Sequence, residues 1–120
     1  MTHDDVATWL SRYVGAWKTY DPQAIGALFT PDAQYRYHPG DDPVSGRDAI
    51  TADWLKDRDE PGTYEADYAP WAVDGRRAVA TGTSRYRDGE GNRTYHNVFL
   101  LEFDEAGQCS SFTELFIQER

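Results

Sequence analysis

The hydrophobic pattern changes its period once along the chain, near residue 63, and this change limits the folds that the chain can adopt. Before that point apolar residues recur every three to four positions, as on one face of a helix. After it apolar and polar residues alternate, as on the two faces of a strand. Helices followed by a run of consecutive strands indicate an α+β fold.

The first helix is predicted by an apolar stripe at the beginning of the chain. The stripe follows the spacings i, i+3, i+4, i+7 and i+11, in Val6, Trp9, Leu10, Tyr13 and Trp17. Thr2 and Asp5 stand three residues apart, which is the spacing of a capping box at the start of a helix. We therefore expect a long amphipathic helix that begins just after Thr2.

Two shorter helices should follow, with the strand "QYRYH" between them. Asp21 suits an N-cap and Pro22 the first helical position, so the second helix should open there. Pro31 is expected to close it. Ser45 and Asp48 repeat the capping-box spacing and predict the start of the third helix.

Four strands are expected in the second half of the chain. They cover approximately 63–73, 77–87, 94–103 and 109–118. The segments between them, Asp74-Gly75, "DGEGN" and "DEAG", are typical of hairpin turns, so sequential strands should be antiparallel. There is no repeat or linker, and we predict one domain over residues 1–120, with the helices on one side of a curved sheet.

The charge balance limits the partners of the protein. The net charge is -9, and binding to nucleic acid or to an anionic membrane needs basic patches, so neither partner is expected. A single cysteine allows no internal disulfide. No leader segment and no long apolar run occurs, so we expect a cytoplasmic protein.

The strand 94–103 is apolar on both faces. Phe99, Leu101 and Phe103 lie on one face, while Val98 and Leu100 lie on the other. The helices can cover only one face of the sheet, and a large exposed apolar face is rare on a monomer. We therefore predict a homodimer in which a second copy covers the outer face.

Three segments, "FTPDAQYRYHP", "SGRDAI" and "FTELF", together resemble the SnoaL-like branch of the nuclear transport factor 2-like superfamily. That group shows an acidic-alanine step into the first strand, a His-Pro or Asp-Pro at its end, and a Gly-Arg-x-Ala-Ile helix start. Its final strand reads aromatic-x-acidic-aromatic-aromatic, close to "FTELF". The resemblance implies a cone: a curved, mostly antiparallel sheet with three helices packed on its concave side around a cavity.

Glu114 is the main candidate for chemistry. It shares one strand face with Phe112 and Phe116, and the resemblance implies that this acid points into the cavity. Burial among apolar groups would raise its pKa toward neutrality, as in a general base or acid. Alternatively, Arg36 or Arg85 pairs with it as a structural ion pair, which would lower the pKa.

Two further polar residues are candidates for assisting Glu114. His38 ends the first strand near the rim of the cone, where it could shuttle protons or merely bond to backbone or water. Asn97 could orient a ligand carbonyl or satisfy a buried backbone group. In the epoxide-hydrolase members of the group that this chain resembles, an Arg-x-Asp pair completes the catalytic relay. The strand 77–87 contains no such pair. The nearest residues there are Thr81, Thr83 and Arg85.

Aromatic residues are predicted to form the substrate-binding wall. The candidates are Tyr37, Tyr95, Trp17, Trp54, Phe112 and Phe116, each of which could instead fill the core. Tyr35, Tyr64 and Tyr68 offer further hydroxyl groups near one end of the sheet.

No spacing of metal ligands and no phosphate-binding loop occurs, so neither a metal nor a cofactor is predicted. Two functions remain. The first is a cofactor-independent acid/base enzyme (isomerase, cyclase, dehydratase or hydrolase) that acts on a small apolar carbonyl or hydroxyl compound. The second is a non-catalytic module that binds a small ligand or serves as a dimeric interaction surface.

Overall fold

Three helices and six strands make up the fold, and the computed structural model describes all residues from 1 to 120. The helices are His3–Thr19 (α1), Pro22–Gly26 (α2) and Arg47–Lys56 (α3). The strands are Phe29–Arg36 (β1), Val44–Ser45 (β2), Tyr64–Asp74 (β3), Arg77–Asp88 (β4), Gly91–Phe103 (β5) and Cys109–Gln118 (β6). The predicted α+β class is confirmed, with three helices before the four long strands. None of these helices combines the length and apolar character needed to cross a membrane.

All six strands belong to one curved sheet that does not close, in the order β2-β1-β6-β5-β4-β3. The hairpins β3–β4, β4–β5 and β5–β6 are antiparallel, as their short turns predict. Only β1 and β6 run parallel. The last strand, β6, lies between the first strand, β1, and β5. This insertion brings residues from both ends of the chain to the middle of the sheet.

The core lies between the helices and the inner face of the sheet. Phe29, Phe99 and Phe112 are fully buried there, from three neighbouring strands. Trp9 of α1 packs on them, with its ring centroid 6.2 Å from that of Phe29, and its indole N–H donates to the Leu28 carbonyl at 3.0 Å. The helix is therefore held by apolar contact and by a satisfied polar group.

The start signals of the first two helices are as predicted. Asp5 N–H donates to the Thr2 hydroxyl at 3.1 Å, while Thr2 N–H donates to the Asp5 carboxylate at 2.9 Å. Asp21 accepts a bond from the backbone N–H of Gln23 at 3.1 Å, and Pro22 opens α2. These N-caps involve residues within one helical turn of each other, so the sequence alone predicts them.

The predicted end of the second helix is wrong. The helix stops at Gly26, and Pro31 lies inside β1. Between Phe29 and Gln34 the pairing of β1 with β6 shifts register. A proline is tolerated at such an irregularity, because no ladder hydrogen bond is required from its nitrogen.

The capping box predicted for the third helix is also wrong. The N-cap is Gly46, which has no side chain to bond the first turn. Ser45 belongs instead to the short strand β2, where it pairs with Gln34. Gly46 has a φ of 95°, a conformation that favours glycine, so the chain turns here from strand into helix.

The outer face of the sheet carries large apolar side chains in contact with solvent. Leu100 of β5 is 45% exposed, and Leu115 and Ile117 of β6 are 38% and 75% exposed. Val98 pairs with Leu115 across the two strands, so these residues form one patch. We call Val98, Leu100, Leu115 and Ile117 the outer patch.

Candidate functional site

A cavity of about 630 Å³ opens between the helices and the inner face of the sheet. Most residues that line it are aromatic. The helical side contributes Tyr13, Trp17, Tyr20 and Trp54, and the sheet side contributes Tyr35, Tyr37, Tyr68, Tyr86, Tyr95 and Phe116. The remaining lining residues are polar: Asp53, Asp57, Asp59, Ser84, Arg93, Asn97 and Glu114. This size and lining are typical of a site for a small organic ligand.

Glu114 lines this cavity from β6, and no arginine pairs with it. One carboxylate oxygen, Oε2, accepts a hydrogen bond from the Asn97 side-chain amide at 2.9 Å. The Arg36 guanidinium instead donates to the Asp41 carbonyl at 3.2 Å, and Arg85 lies 3.8 Å from the Asp67 carboxylate. The structural ion pair considered for Glu114 is therefore not formed.

Burial dominates the ionisation of Glu114. It raises the pKa of this carboxyl from the ordinary 4.5 to about 7, although the hydrogen bond from Asn97 acts in the opposite direction. Both the protonated and the ionised forms are then populated near neutral pH. A group with this property can accept a proton and return it in the same pH range.

Asn97 is held in place by a second hydrogen bond. It is buried on β5, and its side-chain oxygen accepts from the Ser84 hydroxyl of β4 at 3.0 Å. With its oxygen engaged, the amide presents its N–H to Glu114. A chain of contacts therefore runs from Ser84 through Asn97 to Glu114, and Asn97 positions the carboxyl group.

Sequence reasoning missed Ser84 and pointed to its neighbours on β4 instead. Thr81 and Thr83 pair with Val98 and His96, on the outer face of the sheet. Ser84 pairs with Tyr95 on the inner face. The hairpin turn between β4 and β5 sets this register, so the pairing could have been counted from the turn.

Tyr13, Tyr35 and Tyr68 line the same cavity as Glu114. The hydroxyls of Tyr13 and Tyr35 are hydrogen-bonded at 3.0 Å in the core. Burial raises the pKa of both well above the ordinary value, and the nearby charge of Glu114 contributes in the same direction. The pKa of Tyr68 is raised for the same two reasons. These phenols stay protonated at neutral pH and can donate hydrogen bonds.

Five of the six aromatic residues proposed for the substrate wall line the cavity, and four of them have identified partners there. Tyr37 donates to the Asp53 carboxylate, and Tyr95 accepts from Arg93 at 3.3 Å. The Trp17 indole donates to Asp59 at 3.1 Å, while Trp54 packs edge-on to Tyr13 at 5.2 Å. Asp53, Asp57 and Asp59 belong to no sequence motif. Their place in the cavity wall is therefore known only from the structure.

The two phenylalanines that flank Glu114 occupy different surroundings. Phe116 lines the cavity and is 40% exposed. Phe112, predicted to contact a ligand, is instead fully buried and stacks on Tyr35 with ring centroids 4.3 Å apart. It belongs to the core cluster and does not line the cavity.

His38 stands outside the cavity wall. It is exposed just after β1, and its ring centroid lies 5.1 Å from that of Phe116. This places His38 near the rim, where the sequence predicts it. No hydrogen bond links it to Glu114, and its part in proton transfer stays a prediction.

The structure presents neither a cluster of metal ligands nor a reactive thiol. No three histidine, cysteine or carboxylate side chains come together as a set of metal ligands. Cys109 is buried, and burial raises the pKa of its thiol to about 12. The thiol therefore stays protonated, and it is a poor nucleophile at neutral pH.

Comparison with known proteins shows the family. Residues 10–112 match the SnoaL-like domain. The chain belongs to the SnoaL-like family. The fold of this SnoaL-like protein is nuclear transport factor 2-like, as the sequence predicts. The matched range ends two residues before Glu114, so the interpretation of that residue rests on the geometry above.

One solved structure shows how widely the fold is shared. The SnoaL-like chain is similar to an LEH-like epoxide hydrolase from M. tuberculosis, with a TM-score of 0.69 and 13% sequence identity. The similarity covers 96% of this chain and 84% of the other. At this identity the likeness shows a common fold and not a common reaction. No curated protein matches the chain significantly.

Proposed function

We propose that this SnoaL-like protein binds a small organic molecule in its cavity and moves a proton on it through Glu114, without a cofactor. One observation carries the proposal: Glu114 combines a pKa of about 7 with a place in an aromatic cavity and with no cationic partner. General bases work best when their pKa lies near the working pH.

Each group around Glu114 has a separate part in the proposed chemistry. Asn97 fixes Oε2, which leaves Oε1 without a hydrogen bond from the protein and open to a ligand. Above about pH 7 the ionised carboxylate removes a proton from the carbon next to a carbonyl group of the ligand. A protonated phenol such as Tyr68 donates a hydrogen bond to the ligand oxygen, where negative charge develops.

The arrangement favours a reaction in which one residue both takes and returns the proton. Burial raises the pKa of Glu114 to about 7 within the cavity wall, and His38 lies outside that wall. Isomerisation, and addition or loss of water next to a carbonyl, have this requirement. A site with two titrating groups would suit hydrolysis better.

Exchange of α-protons tests this proposal without knowledge of the natural substrate. In D₂O, the protein should accelerate the exchange of the α-protons of 4-methylcyclohexanone, followed by ¹H NMR. The acceleration should rise as pH increases through about 7, because the base must be ionised. Glu114→Gln should reduce it by about 10²-fold or more.

The control is a glutamate outside the cavity. Glu65→Gln removes an exposed carboxylate of β3 and should leave the exchange unchanged. If the two variants exchange protons equally fast, Glu114 is not the base and the catalytic proposal fails.

We also propose that two copies of the chain associate through the outer patch. The patch is apolar and exposed, and a second copy would remove it from water. Sedimentation velocity at micromolar concentration should report a dimer, and Leu115→Glu should convert it to a monomer because a charge would be buried in the interface. A wild-type protein that sediments as a monomer at all concentrations would refute the dimer.

A further inference from the structure

The wall of the cavity has an uneven charge. Four carboxyl groups line it, from Asp53, Asp57, Asp59 and Glu114, against a single cationic side chain, Arg93. A concave site lined by one sign of charge concentrates ligands of the opposite sign. The wall therefore favours positive charge.

The single arginine is already neutralised by residues outside the cavity. Its guanidinium lies 2.6 Å from the Asp88 carboxylate and 3.7 Å from that of Glu90. Arg58, the other cation near the mouth, does not line the cavity. The wall therefore offers no unpaired arginine to an anionic ligand.

The aromatic side chains that line the cavity also favour a positively charged ligand. Ring centroids of Trp17 and Tyr86 are 6.1 Å apart, those of Tyr86 and Tyr95 are 5.8 Å apart, and those of Tyr95 and Phe116 are 5.6 Å apart. These four side chains form a continuous wall. The face of an aromatic ring attracts a cation, most strongly where water is excluded.

The protein's own arginines show that tyrosines of this wall hold cations. The Arg93 guanidinium stands 5.1 Å from the centre of the Tyr86 ring. The Arg58 guanidinium stands 5.6 Å from the centre of the Tyr20 ring. Both tyrosines line the cavity, so cation contact is already a feature of its mouth.

Building on the proposed function, we infer that the ligand is a compact organic cation, with a substituted ammonium group and an apolar body. The ammonium group contacts the aspartates of α3 and the following loop together with the aromatic faces. The apolar body packs against the remaining rings, and its reacting carbon faces Glu114. A neutral ligand would contact the rings but gain nothing from the negative charge of the carboxylates, while an anion would be repelled.

Three probes of one shape and different charge test this inference. Choline is the cation, 3,3-dimethylbutan-1-ol is its uncharged carbon isostere, and 3,3-dimethylbutanoate is the anion of similar shape. Binding is measured from the ¹H–¹⁵N shifts of the Trp17 and Trp54 indole groups, which line the cavity. Choline should bind at least tenfold more tightly than the alcohol, and the anion should bind more weakly than the alcohol.

A pair of charge-removing variants locates the effect. Asp57 lines the cavity and is exposed, so Asp57→Asn should not disturb folding. It should weaken choline binding about threefold or more and leave binding of the alcohol unchanged. Asp4→Asn removes the same charge about 20 Å away along α1 from Trp17, at about 1.5 Å per residue, and should change neither affinity.

The outcomes separate this inference from the proposed function. Equal affinities for choline and the alcohol would overturn the cation preference and leave the ligand pocket intact. An equal effect of the two variants would also overturn it, because the whole-chain charge would then explain the binding. No indole shift with any of the three probes would count against the pocket itself.

Discussion

Replacing Glu114 with glutamine should make the protein more stable, and the gain should depend on pH. The wild-type carboxyl has a pKa of about 7 in the fold and an ordinary value of 4.5. Because the folded-state pKa is the higher one, the folded protein holds this proton more tightly than the unfolded chain does. The stabilisation that this bound proton gives the folded state is complete below pH 4.5 and is lost as the pH rises through about 7.

The size of the effect follows from the two pKa values. One pKa unit corresponds to about 1.4 kcal/mol, so the wild type should lose about 3 kcal/mol of unfolding free energy across this range. Glutamine is always neutral and keeps an oxygen that can accept the bond from Asn97. The variant should therefore exceed the wild type by about 3 kcal/mol at pH 8 and by much less at pH 4.

Urea unfolding at several pH values, followed by tryptophan fluorescence, measures this difference. Every other titrating group is common to the two proteins, so their effects cancel in the comparison. Glu65→Gln is the matched control at an exposed strand position. The unfolding free energy of this variant should stay within about 0.5 kcal/mol of the wild-type value at every pH. A Glu114→Gln difference that is constant with pH, or a wild type that is more stable at pH 8, would refute the reasoning.

Two further substitutions test the positions of the neighbouring groups. Asn97→Leu removes the donor to the Glu114 carboxylate, so the pKa of Glu114 should rise by about one unit or more, as measured by ¹³C NMR of the carboxyl group. A lower pKa would contradict the role assigned to Asn97. Gly82→Ala would place a Cβ 1.9 Å from the Asp67 carbonyl oxygen and should cost about 2 kcal/mol or more in urea unfolding. Gly15→Ala has nothing within 4 Å of its Cβ and should instead stabilise α1 by about 0.5–1 kcal/mol; equal effects of the two glycine substitutions would show that backbone entropy, and not the close contact, decides.

Much of the fold is local enough to be predicted from the sequence. The helix period, the hairpin turns and the Thr2–Asp5 capping box each involve residues a few positions apart. Strand β2 was not predicted, because two residues show no period. The sequence predicts that Pro31 stops a helix. The register shift that instead places this proline within β1 depends on β6, at the other end of the chain.

The candidate site was only partly predictable, for a related reason. Alternation along β6 puts Phe112, Glu114 and Phe116 on one face of the strand, but it does not predict how deeply each side chain is buried. In the structure Phe112 lies in the core, whereas Phe116 lines the cavity. The contact of Ser84 with Asn97 depends on strand register, which a strand pattern alone does not specify. The aspartates of the wall are placed by tertiary packing and leave no sequence signal.

The position of β6 also has a consequence for how the protein folds. Because β6 lies between β1 and β5, a chain that has not yet docked this strand presents two open strand edges in place of one continuous sheet. Open edges invite pairing with other chains, and the pairing of β1 with β6 joins residues about 80 positions apart, which closes late. The strand that carries Glu114 is therefore the one that completes the sheet. Until it docks, a partly folded chain is prone to aggregation and is a candidate for chaperone binding.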